Sequence, residues 1–226
     1  MADHLRLAAL IAAKDLAVEW RSKTALVSIV AFAVLVSAIL YFARDPTAVS
    51  ALDTAPGALW VTYSFSAMIA LNRAFQLEQE NHAMDGLLLS PIPRSAIFVG
   101  KTLANLALVG AVEAIALPLF LLFYDVPVWH RLPALSLVVV MATVAMVAVG
   151  TLFSSMVIRT RFAEFMLPLL LLPFLVPPVI SGVELTATIL ADRPLSAAGG
   201  WLKLLAAFDL TFVSLSALLF ESSLEQ

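Results

Sequence analysis

The sequence predicts an all-α, polytopic membrane protein. It has six transmembrane helices, an N-terminal amphipathic interface helix and a cytoplasmic coupling helix between helices 2 and 3. The first observation is composition: 62% of the 226 residues are hydrophobic and 13% are charged, whereas soluble domains are about 25% charged. The second is that long stretches without Asp, Glu, Lys or Arg recur along the chain. Helices follow, because a backbone in lipid must satisfy its own hydrogen bonds and runs such as Leu169–Leu172 lack the alternation of a transmembrane strand.

Composition also excludes several classes of function. The chain has no Cys, which excludes disulfides, zinc–thiolate sites, iron–sulfur clusters and thiol nucleophiles. Its formal net charge of -3 is too small to indicate a nucleic-acid partner. Neither a His-x-x-Glu-His spacing nor a paired nucleophile and base is visible. The sequence therefore predicts no catalytic, cofactor-binding or metal-binding residue.

Residues 1–226 form one predicted transmembrane domain. Its first element is an interface helix over 1–23, in which apolar residues recur at helical spacing opposite Lys14 and Arg21. Such a helix lies at the membrane surface with its basic residues toward anionic headgroups. The apolar face consists of Leu5, Ala9, Ala12, Leu16 and Trp20.

Six stretches are long enough to span hydrocarbon, which takes about 20 residues. The predicted transmembrane helices cover residues 24–43, 54–72, 96–124, 132–158, 164–183 and 201–221. An acid interrupts two of the apolar stretches, Glu113 in the third and Asp209 in the sixth. Because a charge in hydrocarbon is costly, Glu113 is the candidate intramembrane polar site, as a proton carrier, a substrate contact or a link between helices. Asp209 is predicted to make a structural polar contact near the outer boundary.

The distribution of Lys and Arg predicts the orientation of the helices. One side of the membrane collects nine of the 13 such residues: Arg6, Lys14, Arg21, Lys23, Arg73, Arg94, Lys101, Arg159 and Arg161. That side is predicted to be cytoplasmic, with both termini inside. Trp60, Trp129 and Trp201 then fall near the outer boundary, as in an aromatic belt.

The segment 73–94 differs from the other loops, which are short and plain. Its first half is rich in helix formers and acids, and it ends at Pro91 and Pro93, which break a helix. A short charged helix joined to two membrane helices is what a cytoplasmic motor needs to push on; the alternative is a solvated hairpin that only turns the chain. The apolar residues of this segment are predicted to fill a groove on such an ATPase, and the acids to meet basic residues at the rim of that groove. The predicted contact residues are Arg73, Phe75, Glu78, Glu80, Met84, Asp85 and Gly86.

This segment also carries a family resemblance. Residues 71–75 (Leu-Asn-Arg-Ala-Phe) and 87–93 (Leu-Leu-Leu-Ser-Pro-Ile-Pro) resemble the coupling region of type-2 ABC exporter permeases. The chain more narrowly resembles CcmB, the haem exporter protein B family of bacterial cytochrome c maturation. That likeness rests on Ala-Pro-Gly at 55–57, on the Leu- and Pro-rich stretch 167–178 and on the length and layout of the whole chain. Many relatives have Glu where this chain has Asn72 or Asp85, and a small residue where it has His82.

The resemblance implies one ABC-2-type transmembrane permease domain in the bacterial inner membrane. It implies a homodimer of this chain paired with two copies of a separate ATPase subunit, CcmA, which holds the ATP. The further partners it implies are the haem-presenting protein CcmC, the small protein CcmD and the haem chaperone CcmE. Haem is then a substrate of the complex, and ATP hydrolysis drives haem export or release of the haem-loaded chaperone.

The chain is not predicted to be an enzyme. Residues 95–102 approach a phosphate-binding P-loop at Gly100-Lys101-Thr102, but the motif needs Gly where this chain has Ser95, and a strand before it. Lys101 is instead predicted to be an interfacial anchor whose long side chain reaches the headgroups. ATP hydrolysis is therefore expected in a separate subunit.

Two alternative functions stay open at this point. One is an ABC-2 permease that exports a lipid, a drug or a polysaccharide. The other is a non-transporting membrane scaffold or assembly factor without an ATPase partner. His130 is weighed as a haem ligand because imidazole commonly binds haem iron, but a lone exposed His is predicted to be an ordinary surface residue.

Overall fold

The protein is all-helical in the part of the chain that the structure describes. This computed structural model describes residues 2–80, 86–87, 89–126, 130–157 and 163–223. Within these ranges the chain contains no strand, and its seven long helices are α1 Ala2–Ser22, α2 Thr24–Ala43, α3 Ala51–Glu80, α4 Arg94–Phe123, α5 Leu132–Val157, α6 Ala163–Leu190 and α7 Gly199–Ser223, with a 3₁₀ turn at Leu195–Ala198 before α7. The predicted all-α class is confirmed.

Five stretches of the described helices are long and apolar enough to cross a membrane. They are Leu26–Ala43, Arg94–Phe123, Leu132–Ser154, Phe165–Leu190 and Leu195–Leu219. The protein is therefore a multi-pass membrane protein. The predicted second crossing at 54–72, which lies in α3, is not among the five, so length and apolarity alone do not give the predicted count of six.

The lower apolarity of α3 reflects its place inside the bundle. This helix packs against α2, α4, α5 and α6. Thr62, Tyr63 and Ser66 of α3 are all buried, and the Thr62 hydroxyl donates to the carbonyl oxygen of Ala58 at 2.8 Å. A helix that packs against four others needs less apolar surface toward lipid, and its buried side can carry polar groups.

Local signals explain where the helices begin and end. α3 begins at Ala51, earlier than the predicted residue 54, because the Ser50 hydroxyl oxygen caps it by accepting a hydrogen bond from the Leu52 N–H at 3.2 Å. α4 begins at Arg94, directly after Pro93. α6 continues to Leu190, beyond the predicted end at 183. It contains Pro168, Pro173, Pro177 and Pro178, which membrane helices tolerate when neighbouring groups satisfy the freed carbonyls.

Trp60 packs inside the bundle, between α3 and α6. Its side chain is fully buried, and its indole N–H donates to the Thr186 hydroxyl at 2.9 Å. A Cβ atom at Gly182 would lie 2.4 Å from the Trp60 ring, so the ring occupies the space that glycine leaves. The prediction that Trp60 belongs to an outer aromatic belt was wrong, because the ring and its N–H are both used by α6. Trp129, predicted for the same belt, lies outside the described residues.

We expect Gly182→Ala to lower the thermal unfolding midpoint more than Gly150→Ala does. Both changes bring the same gain in helix propensity. The added Cβ at position 182 meets a rigid indole ring, whereas at position 150 it meets the terminal methyl group of Leu71 at 2.5 Å, which a rotation can move. Overpacking against a ring costs about 1–3 kcal/mol, or a few degrees for a chain of this size. Unfolding followed in detergent measures both midpoints, and equal shifts would contradict the packing assignment.

Candidate functional site

One end of the bundle, which we call the α1 end, is where α1 meets the last turns of α3 and the first turns of α4. α1 lies directly on α4 at Gly100. A Cβ atom there would lie 2.8 Å from the carbonyl oxygen of Ala8 and 2.8 Å from Cβ of Ile11. The absence of a side chain at Gly100 is therefore what allows the two helix backbones to approach this closely.

A small hydrophobic cluster joins α1 to the segment 73–94. Ile11 of α1 packs with the buried Ile97 and Phe98 of α4. Leu87 and Ile92, which belong to the second half of the segment, pack against the same cluster. α1 therefore contacts both the beginning of α4 and the polar segment that precedes it.

Buried charge reinforces the contact between α1 and α4. Lys101 is only 4% exposed, and its Nζ lies 3.4 Å from Oδ2 of Asp15, which also pairs with Lys14 at 2.8 Å. The prediction that Lys101 reaches the headgroups was wrong, because α1 covers it and supplies the opposite charge. An ammonium group removed from water in this way needs such a partner.

α1 also reaches the last turns of α3. Glu19 is buried; its burial raises the pKa of the carboxyl group, and the nearby positive charge of Arg73 lowers the pKa by a smaller amount. A cavity of about 200 Å³ lies between α1, α3 and α4. Its lining includes Asp15, Glu19 and Asn105, and the Asn105 amide donates to the hydroxyl of Thr151 on α5 at 3.1 Å.

The predicted ATPase-contacting residues lie in different environments. Arg73 is half-buried, and Gly86 is exposed in a helical turn. Phe75 is 2% exposed and belongs to the main hydrophobic core, so its ring lies inside the bundle rather than on the predicted contact surface. The backbones of Glu78 and Glu80 lie in the last turn of α3, but their side chains, like all of Met84 and Asp85, lie outside what the structure describes.

The predicted intramembrane site, Glu113, lies where α3, α4 and α5 meet. Its side chain is 4% exposed. Oε2 of Glu113 lies 2.6 Å from the hydroxyl of Thr143 on α5. The hydroxyl of Tyr63 on α3 donates to the backbone carbonyl oxygen of Glu113 at 3.1 Å. Oε1 is buried and has no hydrogen-bond partner.

The other polar candidates do not form a site with Glu113. Asp209 of α7 is half-buried, with its Oδ1 enclosed and without a hydrogen-bond partner. His130 is exposed, and its Nε2 accepts a hydrogen bond from Nε of Arg131 at 3.1 Å. Arg131 in turn pairs with Asp192 at 3.3 Å, which links the start of α5 to the end of α6. Across the described ranges, His, Asp and Glu nowhere form a group of three that could hold a metal ion.

Comparison with known proteins decides the family. The sequence matches the profile of the CcmB protein family over residues 6–226. The chain belongs to the CcmB family. This result confirms the resemblance that the segment 73–94 and the layout of the chain indicated.

Several relatives of this CcmB family member carry the name Heme exporter protein B. The protein of that name from Rhodobacter capsulatus is 30% identical over 69% of this chain and 71% of its own length. The one from Paracoccus denitrificans is 30% identical over 68% of this chain and 70% of its own length. The one from Pseudomonas aeruginosa is 26% identical, over 89% of this chain and 90% of its own length.

Sequence reasoning missed the face by which α1 of this CcmB chain docks on the bundle. The docked face contains Ala8, Ile11, Asp15 and Glu19. Ala12 of the predicted apolar face is also buried, whereas Leu5 and Trp20 of that face are 62% and 64% exposed. A signal was present, because Ile11, Asp15 and Glu19 recur four residues apart and so share one face of a helix. Tyr63 and Thr143 gave no comparable signal, since single hydroxyl groups are common in apolar stretches.

Proposed function

We propose that this CcmB family member is the membrane permease subunit of an ABC transporter complex that handles haem in c-type cytochrome biogenesis. The observation that carries the proposal is the family match over residues 6–226, together with relatives named Heme exporter protein B. A separate ATPase subunit hydrolyses the ATP. Haem is the substrate of the complex, which exports it or releases a haem-loaded chaperone.

The proposed topology has six crossings: the five apolar stretches and α3, which is the second crossing in chain order. α3 has 30 residues, which at about 1.5 Å each give about 45 Å, enough for a hydrocarbon core of about 30 Å. Its polar residues Thr62, Tyr63 and Ser66 are buried inside the bundle. α1 then lies along the cytoplasmic surface of the bacterial inner membrane, and both termini are cytoplasmic. The excess of Lys and Arg at the α1 end supports this orientation.

The proposed mechanism is mechanical. ATP-driven closure of the ATPase subunits moves the segment 73–94, and the motion passes directly into α3 and α4, which are continuous with it. Two observations support a bracing role for α1: Leu87 and Ile92 pack against the cluster that contains Ile11, and the charge of Arg73 acts on Glu19. Phe75, which is buried near the C-terminal end of α3, holds the segment to the bundle. The proposed contact surface for the ATPase consists of Arg73, Glu78, Glu80, Met84, Asp85 and Gly86.

The proposed partners follow from family membership. Two copies of the chain form the permease and two copies of CcmA supply ATP hydrolysis. CcmC, CcmD and the haem chaperone CcmE complete the complex. Membrane lipid surrounds the helices, and no nucleic acid takes part.

Purification in mild detergent tests this function. We expect a soluble ATPase and a haem chaperone to co-purify with the chain. In a bacterium whose own Heme exporter protein B has been deleted, we expect the chain and its ATPase together to restore c-type cytochromes, measured by haem staining. The proposal would be overturned if the chain purified without any ATPase and also failed to restore cytochromes although it was present in the membrane.

A further inference from the structure

Two short contacts of the Thr143 hydroxyl bear on the protonation state of Glu113. The Thr143 hydroxyl oxygen is 2.6 Å from Oε2 of Glu113 and 2.8 Å from the carbonyl oxygen of Val139. A hydroxyl group has a single proton to donate, and a backbone carbonyl can only accept one. Each contact can have its own proton only if the Thr143 hydroxyl donates to the Val139 carbonyl and a protonated Glu113 donates to the Thr143 hydroxyl oxygen.

The ionised form of Glu113 fits the same surroundings poorly. Its charge would be buried with one hydroxyl as its donor, while Oε1 has no hydrogen-bond partner. No Lys, Arg or His in the described part of the chain forms an ion pair with it. An unpaired carboxylate in a low-dielectric interior is strongly unfavourable, whereas a neutral acid with an unpartnered carbonyl oxygen loses much less.

We propose that Glu113 is an intramembrane proton-binding site that ties α4 to α5 as a neutral carboxylic acid. Its O–H donates to the Thr143 hydroxyl, which donates to the Val139 carbonyl. Tyr63, the titratable side chain that contacts Glu113 from α3, donates to the backbone carbonyl of Glu113. The three helices are therefore joined by one uncharged hydrogen-bonded cluster of Glu113, Thr143 and Tyr63. This assignment does not depend on what the complex transports.

Glu113 lies next to a weak point in the hydrogen bonding of α4. Pro118 lies inside α4, and because it lacks an N–H it cannot bond to the carbonyl of Ala114. The helix is weakened at the turn that carries Glu113. Hydrogen bonds from neighbouring helices compensate for such a defect in a membrane helix, so Glu113 is a positioning residue for the middle of α4.

Infrared spectroscopy of the purified protein tests the proton directly. At neutral pH we expect a carboxylic-acid carbonyl band in the wild type that is lost in Glu113→Gln. A band that persists in Glu113→Gln is assigned with Glu19→Gln and Asp209→Asn, which remove the buried acid of α1 and the half-buried acid of α7. Identical carboxylic-acid bands in wild type and Glu113→Gln would overturn the proposal, because Glu113 would then be ionised.

Thermal unfolding separates a neutral hydrogen-bond donor from a charged group. Glu113→Gln, whose amide N–H replaces the acid O–H, should unfold within a degree or two of wild type, whereas Glu113→Ala should lose about 5 °C or more. On α5, Thr143→Ser keeps the hydroxyl and should behave like wild type, while Thr143→Val removes it and should unfold earlier. Equal losses for Glu113→Gln and Glu113→Ala would contradict the neutral form, and the infrared comparison stands even if Glu113→Ala does not fold.

Discussion

Gly100→Leu is expected to detach α1 from α4. The new Cβ would lie 2.8 Å from the carbonyl oxygen of Ala8, and a backbone atom cannot rotate away as a side chain can. Overpacking of this kind typically costs about 1–3 kcal/mol, and the additional atoms of leucine enlarge the clash. α1 must therefore move, and the contacts that it makes with α3 and α4 through Ile11, Asp15 and Glu19 are lost together.

Thiol labelling measures this detachment cleanly because the chain has no Cys. Ala12 belongs to α1 and is only 8% exposed, so a thiol introduced by Ala12→Cys should be protected from a maleimide reagent until α1 leaves α4. We expect labelling to become nearly complete in the Gly100→Leu background and cytochrome maturation to fall at least tenfold.

Gly110→Leu is the matched control for Gly100→Leu, since it makes the same change on the same helix. A Cβ at Gly110 has no atom within 4 Å, so α1 should stay docked and the thiol at position 12 should stay protected. The bracing role of α1 is wrong if Gly100→Leu exposes that thiol and cytochrome maturation nevertheless continues at the wild-type rate.

Charge reversal of Glu78 and Glu80 together is expected to reduce ATPase binding about tenfold or more, which corresponds to about 1.4 kcal/mol. Both residues lie in the last turn of α3, at the start of the proposed contact surface. If they face basic residues on the ATPase, Glu78→Lys with Glu80→Lys turns attraction into repulsion at an interface. The ratio of ATPase to permease after purification in mild detergent measures the loss.

The matched control for Glu78 and Glu80 is Asp53→Lys with Glu184→Lys. Both control residues are exposed near the opposite end of the bundle, and they change the net charge by the same amount. The control pair should bind ATPase normally, and both double variants should unfold at the wild-type temperature. Equal ATPase recovery from all three proteins would rule out an acidic contact surface at Glu78 and Glu80.

Much of the helical layout could be predicted from the charge-free stretches. The limits of α2 agree with the predicted 24–43, and α4 begins where Pro93 ends the preceding segment. The predictions for single side chains were weaker. Trp60, Phe75 and Lys101 were each assigned to a surface or a membrane boundary, and each is buried between helices.

The sequence by itself determined that the protein is helical, that it is built for a bilayer and that it belongs to the CcmB family. These properties are local, because hydrocarbon forces each segment to satisfy its own backbone hydrogen bonds over a length set by the membrane. Only the tertiary structure decided that α1 docks through Ile11, Asp15 and Glu19, and that Glu113 meets Tyr63 and Thr143. In water, an apolar face marks the side that a helix buries. In a membrane, lipid and neighbouring helices are about equally apolar, so periodicity cannot tell one from the other.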